Sequence, residues 1–334
     1  MTRGSLTVTE WDVAIGQAAL RIKKYVTRTP LIQSDALSKR LGTPVWLKCE
    51  QFQPMGAFKI RGAANALLQV PESTRRKGAV TYSTGNHGLA VAYVCRAIGV
   101  QAVVCISERV PQAKVAALQA MGARIEIHGD SQDRAYEVAQ KIARDEGRLL
   151  IEPFDDPAVI AGQGTIGLEI FEDIPEVDTL LIPVSGGGLA AGIAAILRHR
   201  RPLCRLIGVS MQEGAAMYES VHQGHPVMVP EVPTLADSLQ GGIGLGNRLT
   251  FPMVSTLLDD IVLVSEPEIQ EAMGHLALKE GMVVEGAAAV GVAYLLRAVL
   301  PALGRVAVVL TGRNVPAEQS VQAIALYHQR QRLE

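Results

Sequence analysis

"TLLIPVSGGGLAAGIAAIL", residues 179–197, is an apolar run that ends on a serine and three glycines and continues into a small-residue segment of helical spacing. A strand buried on both faces reads as a continuous apolar run. Glycines at its end remove side chains where N–H groups at a helix start point outward, so an anion can approach the backbone. Ser185, Gly186, Gly187 and Gly188, with Leu189 opening the helix, are therefore a candidate phosphate loop. Residues 186–191 also satisfy G-x-G-x-x-A, and a nicotinamide oxidoreductase is the other reading of the loop. A dinucleotide site asks for an acidic residue closing the next strand, to hold a ribose. That strand, "RLIGVSMQE", closes on Ser210, with Glu213 a few positions late. A monophosphate fits better.

Outward from this junction the same pattern repeats. "VWLKCE", "AVTYS", "AVVCIS", "RIEIHG", "LLIEPF", "RLIGVS", "DIVLVSE" and "RVAVVLTG" read as further strands, with apolar residues recurring at three to four in the segments between. The alternation predicts an α/β fold of parallel sheet with helices on both faces. Lobe crossings are expected near "RRKGA" (75–79) and "EPFDDP" (152–157), which divides the chain into residues 1–77 with 156–334, and a smaller unit over 78–155.

Composition narrows the partners. The 334 residues carry a formal net charge of -1, which gives no general attraction for nucleic acid or an anionic membrane, so a small molecule is expected. No apolar stretch is long enough to cross a membrane, and the N-terminus lacks the apolar core of a secretion signal, so the expected location is the cytoplasm. Cys49, Cys95, Cys105 and Cys204 are scattered without metal-binding or disulfide spacing and are expected as free buried thiols.

Three more stretches carry candidate chemistry. In "TYSTGNHGLAVA" (81–92) the hydroxyls of Ser83 and Thr84 and the N–H groups of Gly85, Asn86 and His87 form either an anion pocket or an ordinary helix cap. In "RVAVVLTGRNV" (305–315) Thr311 closes a strand, as a turn former or as a ligand. In "GAFKIRGAANALL" (56–68) Lys59 opens an apolar helix, as a solvated cation or as a buried amine.

Along the chain "GAFKIRGA", "STGNHG", "SGGGL" and "LTGRNV", in that order and at those separations, resemble the threonine and serine dehydratase family of pyridoxal phosphate enzymes, the fold type that includes tryptophan synthase β-subunits. The likeness runs from "RTPL" at 28–31 through "AGQGTIGLEI" at 161–170 to the final "TGRNV". It implies two open parallel-sheet lobes with pyridoxal 5'-phosphate between them. Lys59 would form the Schiff base, Phe58 would pack by the pyridine ring, and Asn86 would contact the cofactor's 3-oxygen. Ser185, Gly186, Gly187, Gly188 and Leu189 would hold the phosphate, and Thr311 would meet the pyridine nitrogen. Glu285, in "MVVEGAAAVG", matches a family acid near the cofactor, although a first-turn carboxylate on a helix dipole is its plainer reading. Ser83, Thr84, Gly85 and His87 would receive the substrate carboxylate, with no acid–base role for His87, and Arg134 and Asp237 match substrate-side positions or are solvated charges.

The implied reaction is loss of water from a β-hydroxy-α-amino acid. Lys59 removes the α-proton. Serine racemases carry a second serine where Thr84 stands, and β-branching restricts a donor there, so elimination is expected over racemisation. "GVSMQEGAAM", "LADSLQGGIGL" and "VEGAAAVG" resemble the dehydratases of hydroxyectoine breakdown, which implies a hydroxylated diaminobutyrate as substrate in place of threonine or serine. Ser210, Gly214 and Ala216 stand at the cation-site positions of some relatives and offer no carboxylate, so no metal is expected. A homodimer without the C-terminal regulatory domain of the biosynthetic deaminases is implied. The reading from another class is a ligand-binding module that kept the fold and lost the chemistry.

Overall fold

The computed structural model describes residues 6–332 apart from 84, 109, 111, 130 and 131, and without the side chains of 113, 132 and 133. The chain opens on α1 (Val8–Ile22), started by a reciprocal Thr7–Glu10 capping box. β1 (Leu31–Gln33), α2 (Asp35–Leu41) and β2 (Val45–Cys49) follow, then α3 (Ile60–Gln69) and the short α4 (Glu72–Arg75). The next stretch alternates β3 (Ala79–Thr81), α5 (Asn86–Ala97), β4 (Ala102–Ile106), α6 (Gln112–Ala120), β5 (Arg124–Ile127), α7 (Gln132–Glu146) and β6 (Leu149–Leu150). After it come α8 (Pro157–Asp173), β7 (Thr179–Pro183), α9 (Gly188–Arg200), β8 (Arg205–Met211), α10 (Ala216–Gln223) and α11 (Thr250–Leu257). β9 (Asp260–Val264), α12 (Glu266–Lys279), α13 (Gly286–Leu295), β10 (Val306–Leu310) and α14 (Ala317–Gln331) complete it.

The strands form two sheets, one ordered β1-β2-β10-β7-β8-β9 and the other β5-β4-β3-β6. Every pairing is parallel except β1 with β2. Strand periodicity makes both faces of the larger sheet apolar. Leu180 and Ile182 of β7, with Ala307 and Val309 of β10, bury against α1, α8 and α9, while Leu181, Val306, Val308 and Leu310 bury against α12 and α13. The smaller sheet is built alike: Val80, Val103 and Cys105 meet Ala135 and Ala139 of α7, and Val104 and Ile106 meet Val115 and Leu118 of α6. All four cysteines are free and buried. No helix is long and apolar enough to cross a membrane, among the described residues.

α3 links the two sheets. Its apolar side chains share a core with Ala90, Val91 and Val94 of α5 and with Ala158 and Val159 of α8. Gly162 permits the close approach to α8, since a Cβ there would stand 2.5 Å from the Arg61 carbonyl oxygen. The start of α3 is held by ions. Arg61 donates Nε and Nη2 to the two Glu50 oxygens, each at 2.8 Å, and Nη1 and Nη2 to those of Glu169 at 2.7 and 2.9 Å. Lys48 donates to Glu169 at 2.6 Å and to the Thr29 carbonyl at 2.7 Å. Two buried cations matched by two acids avoid the cost of an uncompensated charge, and removing one partner from such a set costs about 3–5 kcal/mol.

Candidate active site

Lys59 caps the N-terminus of α3, two residues before Arg61, so the ion network that fixes α3 also fixes the lysine. Its Nζ donates to the Pro153 carbonyl at 2.9 Å and stands 5.4 Å from the Phe58 ring centroid. Burial lowers its ammonium to about 8 against the opposing pull of the Glu285 carboxylate. The neutral amine, which is what a Schiff-base lysine needs, is thus far more abundant near neutrality than in an ordinary lysine. The solvated reading of Lys59 falls on that geometry.

Two segments zip together beside it. Phe58 N–H donates to the Thr311 carbonyl at 3.0 Å and Arg313 N–H to the Gly56 carbonyl at 2.9 Å, with a bridge between Ala57 and Gly312. Thr311 is buried, and its Oγ1 has no partner among the described residues. A buried hydroxyl left alone is costly, so Thr311 is shaped for a partner that a bound group would bring.

Opposite lies the glycine loop. Gly187 takes φ 87° as the cap of α9, a conformation open to glycine at little cost. A Cβ on Gly186 would overlap the Phe154 ring, and one on Gly188 would sit 3.0 Å from Phe154 Cα. Ser185 is half-buried, Leu189 packs into the core behind the loop, and the first N–H groups of α9 lack helical acceptors. Pro153 and Phe154 therefore place the lysine contact and the loop within two residues of each other. Asp155 anchors that segment by accepting from the N–H groups of Arg248, Leu249 and Thr250 at 2.9, 2.9 and 2.8 Å.

At the start of α5, Asn86 Nδ2 donates to both Glu285 oxygens at 3.0 and 3.1 Å, and Asn314 Nδ2 donates to Asn86 Oδ1 at 2.7 Å. Burial raises the Glu285 carboxyl to about 7, partly offset by Asn86, with Asp237 adding to the rise. Glu285 also caps α13 and its N–H donates to the Gly312 carbonyl at 3.1 Å. Glu285 thus stands at the N-cap of α13, one residue before its first turn, with its carboxylate turned to Asn86.

Ser83 and Gly85 flank the same helix start, Ser83 Oγ accepting from Gly85 N–H at 3.4 Å, while Thr84 lies outside the described residues. The His87 ring turns inward, its Nε2 3.2 Å from the Ile151 carbonyl. That carbonyl can only accept, so Nε2 carries the proton. Burial, with Lys59 nearby, lowers the ring to about 3. It stays neutral, which leaves His87 its backbone N–H for an anion. Asp237 reaches across to Lys114 of α6 at 3.3 Å. Arg134 projects from α7 with its side chain 60% exposed and pairs with Glu137. The structure thus brings together Lys59, Phe58, Asn86, Glu285, Thr311 and the glycine loop, with Asp237 at the rim, and gives Arg134 a surface pair. Asn314 and Ser238, which lies 3.4 Å from Asn86 Nδ2, also belong to the cluster. Both stand within motifs already singled out, "LTGRNV" and "LADSLQGGIGL", but nothing local marks either one.

The chemistry of these groups fits pyridoxal phosphate: an amine for its aldehyde, a glycine cradle for its phosphate and a lone buried hydroxyl for its ring nitrogen. A family model described as pyridoxal-phosphate dependent enzyme matches residues 22–312. A Sinorhizobium fredii protein with the provisional name threonine dehydratase is 48% identical over 303 residues, 90% of this chain and 91% of that one. An L-threonine ammonia-lyase of Geobacter sulfurreducens is 41% identical over 302 residues, 90% of this chain and 75% of that one. The structure of maize serine racemase superposes with a TM-score of 0.87 at 30% identity, covering 96% of this chain and 98% of the other. On these matches the chain belongs to the threonine/serine dehydratase family of pyridoxal-phosphate-dependent enzymes, as a lyase.

Proposed function

We propose that the enzyme removes water from a β-hydroxy-α-amino acid, with Lys59 as the base at Cα. The observation that carries this reading is the lysine amine, held near 8 by burial, beside the glycine cradle and the lone Thr311 hydroxyl. When bound, pyridoxal phosphate withdraws electrons from Cα and makes that proton removable. In this reading Lys59 binds the cofactor at rest and accepts the proton once substrate has displaced it. Gly186, Gly187, Gly188 and Ser185 hold the phosphate, and Leu189 backs them. Asn86 donates to the 3-oxygen, Phe58 packs by the ring and Glu285 stays close to it. Ser83, Thr84 and the N–H groups of Gly85 and His87 orient the substrate carboxylate.

Thr311 is a neutral hydroxyl, so it stabilises a ring cation less than a carboxylate would. That favours departure of a β-leaving group over a long-lived carbanion, and the β-branched Thr84 in the racemases' second-serine position favours elimination over racemisation, the alternative that the maize racemase likeness raises. The proposed lobes are residues 1–77 with 156–334 for the cofactor and 78–155 on the substrate side. We extend the proposal to a homodimer, as the resemblance implies, placed in the cytoplasm and working without a metal.

Within this class we propose a hydroxylated diaminobutyrate ahead of threonine or serine. Supporting it is Glu152, next to Pro153, which takes the Tyr82 hydroxyl. Burial raises its carboxyl, Tyr82 opposes this, and Asp156 and Asp155 add to the rise. A second amine on the substrate side chain would relieve that acid. The test is keto acid and ammonia release from threonine, serine and hydroxylated diaminobutyrates, with and without a chelator, and with chiral analysis of unreacted substrate. The expected result is chelator-insensitive elimination, fastest with a diamino substrate, and retained configuration at Cα. Opposite enantiomer accumulating as fast as keto acid would contradict it.

A further inference from the structure

Hydrogen-bond polarity in the cleft is set by one backbone carbonyl. The Met55 carbonyl oxygen can only accept, so the Asn314 amide atom 3.1 Å from it is Nδ2. That nitrogen has a second hydrogen, and the Asn86 amide lies 2.7 Å away. Asn86 must then present Oδ1 to Asn314. Its Nδ2 is left facing the opposite way, where both Glu285 oxygens take it. The arrangement is braced on three sides. Gly56, at φ 81°, leaves room for Asn314 Oδ1, which a Cβ there would meet at 2.8 Å. The Arg313–Gly56 bond ties the Asn314 segment to the one that bears Lys59. The Asn314 backbone N–H lies near enough to the Glu285 carboxylate to favour its charged form.

We propose that Asn314 is a positioning residue that locks the Asn86 amide so that a donor, never an acceptor, faces the cofactor's 3-oxygen. Glu285 occupies that donor until the oxygen arrives. The proposal rests on the family assignment and on Asn86 facing that oxygen, and it is independent of which amino acid is the substrate.

Asn314→Asp reverses the polarity: a carboxylate at that place accepts from Asn86, which must turn its Nδ2 inward and its Oδ1 toward the ligand. The full chain, freed of cofactor, is titrated calorimetrically with 4'-deoxypyridoxine 5'-phosphate, which keeps the 3-hydroxyl and phosphate but cannot bond to Lys59. A parallel titration uses the same compound with hydrogen at the 3-position. A hydrogen bond to an anionic oxygen is worth about tenfold or more in affinity. Asn314→Asp should lose about that factor for the first compound and little for the second. In an Asn86→Ala background the same change should have no effect on either, since the path through Asn86 is gone. Asn314→Ala, which frees Asn86 without turning it, should fall between. Equal loss for both compounds, or the same loss in the Asn86→Ala background, would reduce Asn314 to a structural role and overturn the proposal.

Discussion

Glu285 shows how one residue serves fold and chemistry at once. It caps α13, accepts from Asn86 and lies close enough to Lys59 to pull its ammonium upward. Its carboxyl, raised to about 7 by burial, has a consequence for stability in the protein freed of cofactor. Between the ordinary value, 4.5, and about 7 the folded state holds the proton that the unfolded chain has released. Stability therefore falls as pH rises through that window, and the loss is complete above it. Glu285→Gln removes this term. The difference in melting temperature between variant and wild type should move in the variant's favour from pH 4.5 to pH 8, whatever offset the amide itself introduces. A difference that stays constant would place Glu285 in a well-solvated setting and contradict the cleft described above. None of this was legible locally: "VVEGAAA" announces a helix cap, whereas the burial that raises the acid, with Asp237 adding to it and Asn86 opposing it, comes from distant parts of the chain.

Elements were easier to read than contacts. All nine apolar runs picked out in the sequence contain strands, because a strand covered on both faces must be apolar throughout. β1 was missed since it is three residues long, half-exposed, and paired antiparallel at an edge. "LLIEPF" yields only Leu149–Leu150, because the chain leaves the sheet there to form the segment that meets Lys59 and the glycine loop. Helix packing depends on glycines whose purpose the sequence does not disclose. In α9, a Cβ on Gly192 would overlap the Ile160 carbonyl of α8, whereas Gly16 in the middle of α1 has open space around it. Gly192→Ala should destabilise by about 1–3 kcal/mol through overpacking. Gly16→Ala should be neutral or stabilise by up to about 1 kcal/mol, as alanine does in a helix interior. Denaturant titration of the two variants checks this, and equal midpoints would contradict the α8–α9 contact.

At the scale of the whole molecule, the site exists because two parallel sheets direct their strand ends and helix starts toward one cleft. β10 brings Thr311, the β7–α9 turn brings the glycines, and the β3–α5 turn brings Asn86. Lys59 arrives on α3, which packs against helices associated with both sheets and is pinned by Arg61 between Glu50 and Glu169. Four ordered motifs made this constellation legible as a resemblance. What they could not supply was the polarity of the Asn314–Asn86–Glu285 chain, which depends on contacts between residues more than 190 positions apart. The account stands or falls on Lys59 as the cofactor's covalent partner. Reduction of the loaded enzyme with borohydride, followed by peptide mapping by mass spectrometry, tests this directly. The account predicts the pyridoxyl mass on the peptide containing Lys59 and its loss in Lys59→Ala, with noncovalent cofactor binding retained; the mass on another lysine, or an unlabelled Lys59 in active enzyme, would contradict it.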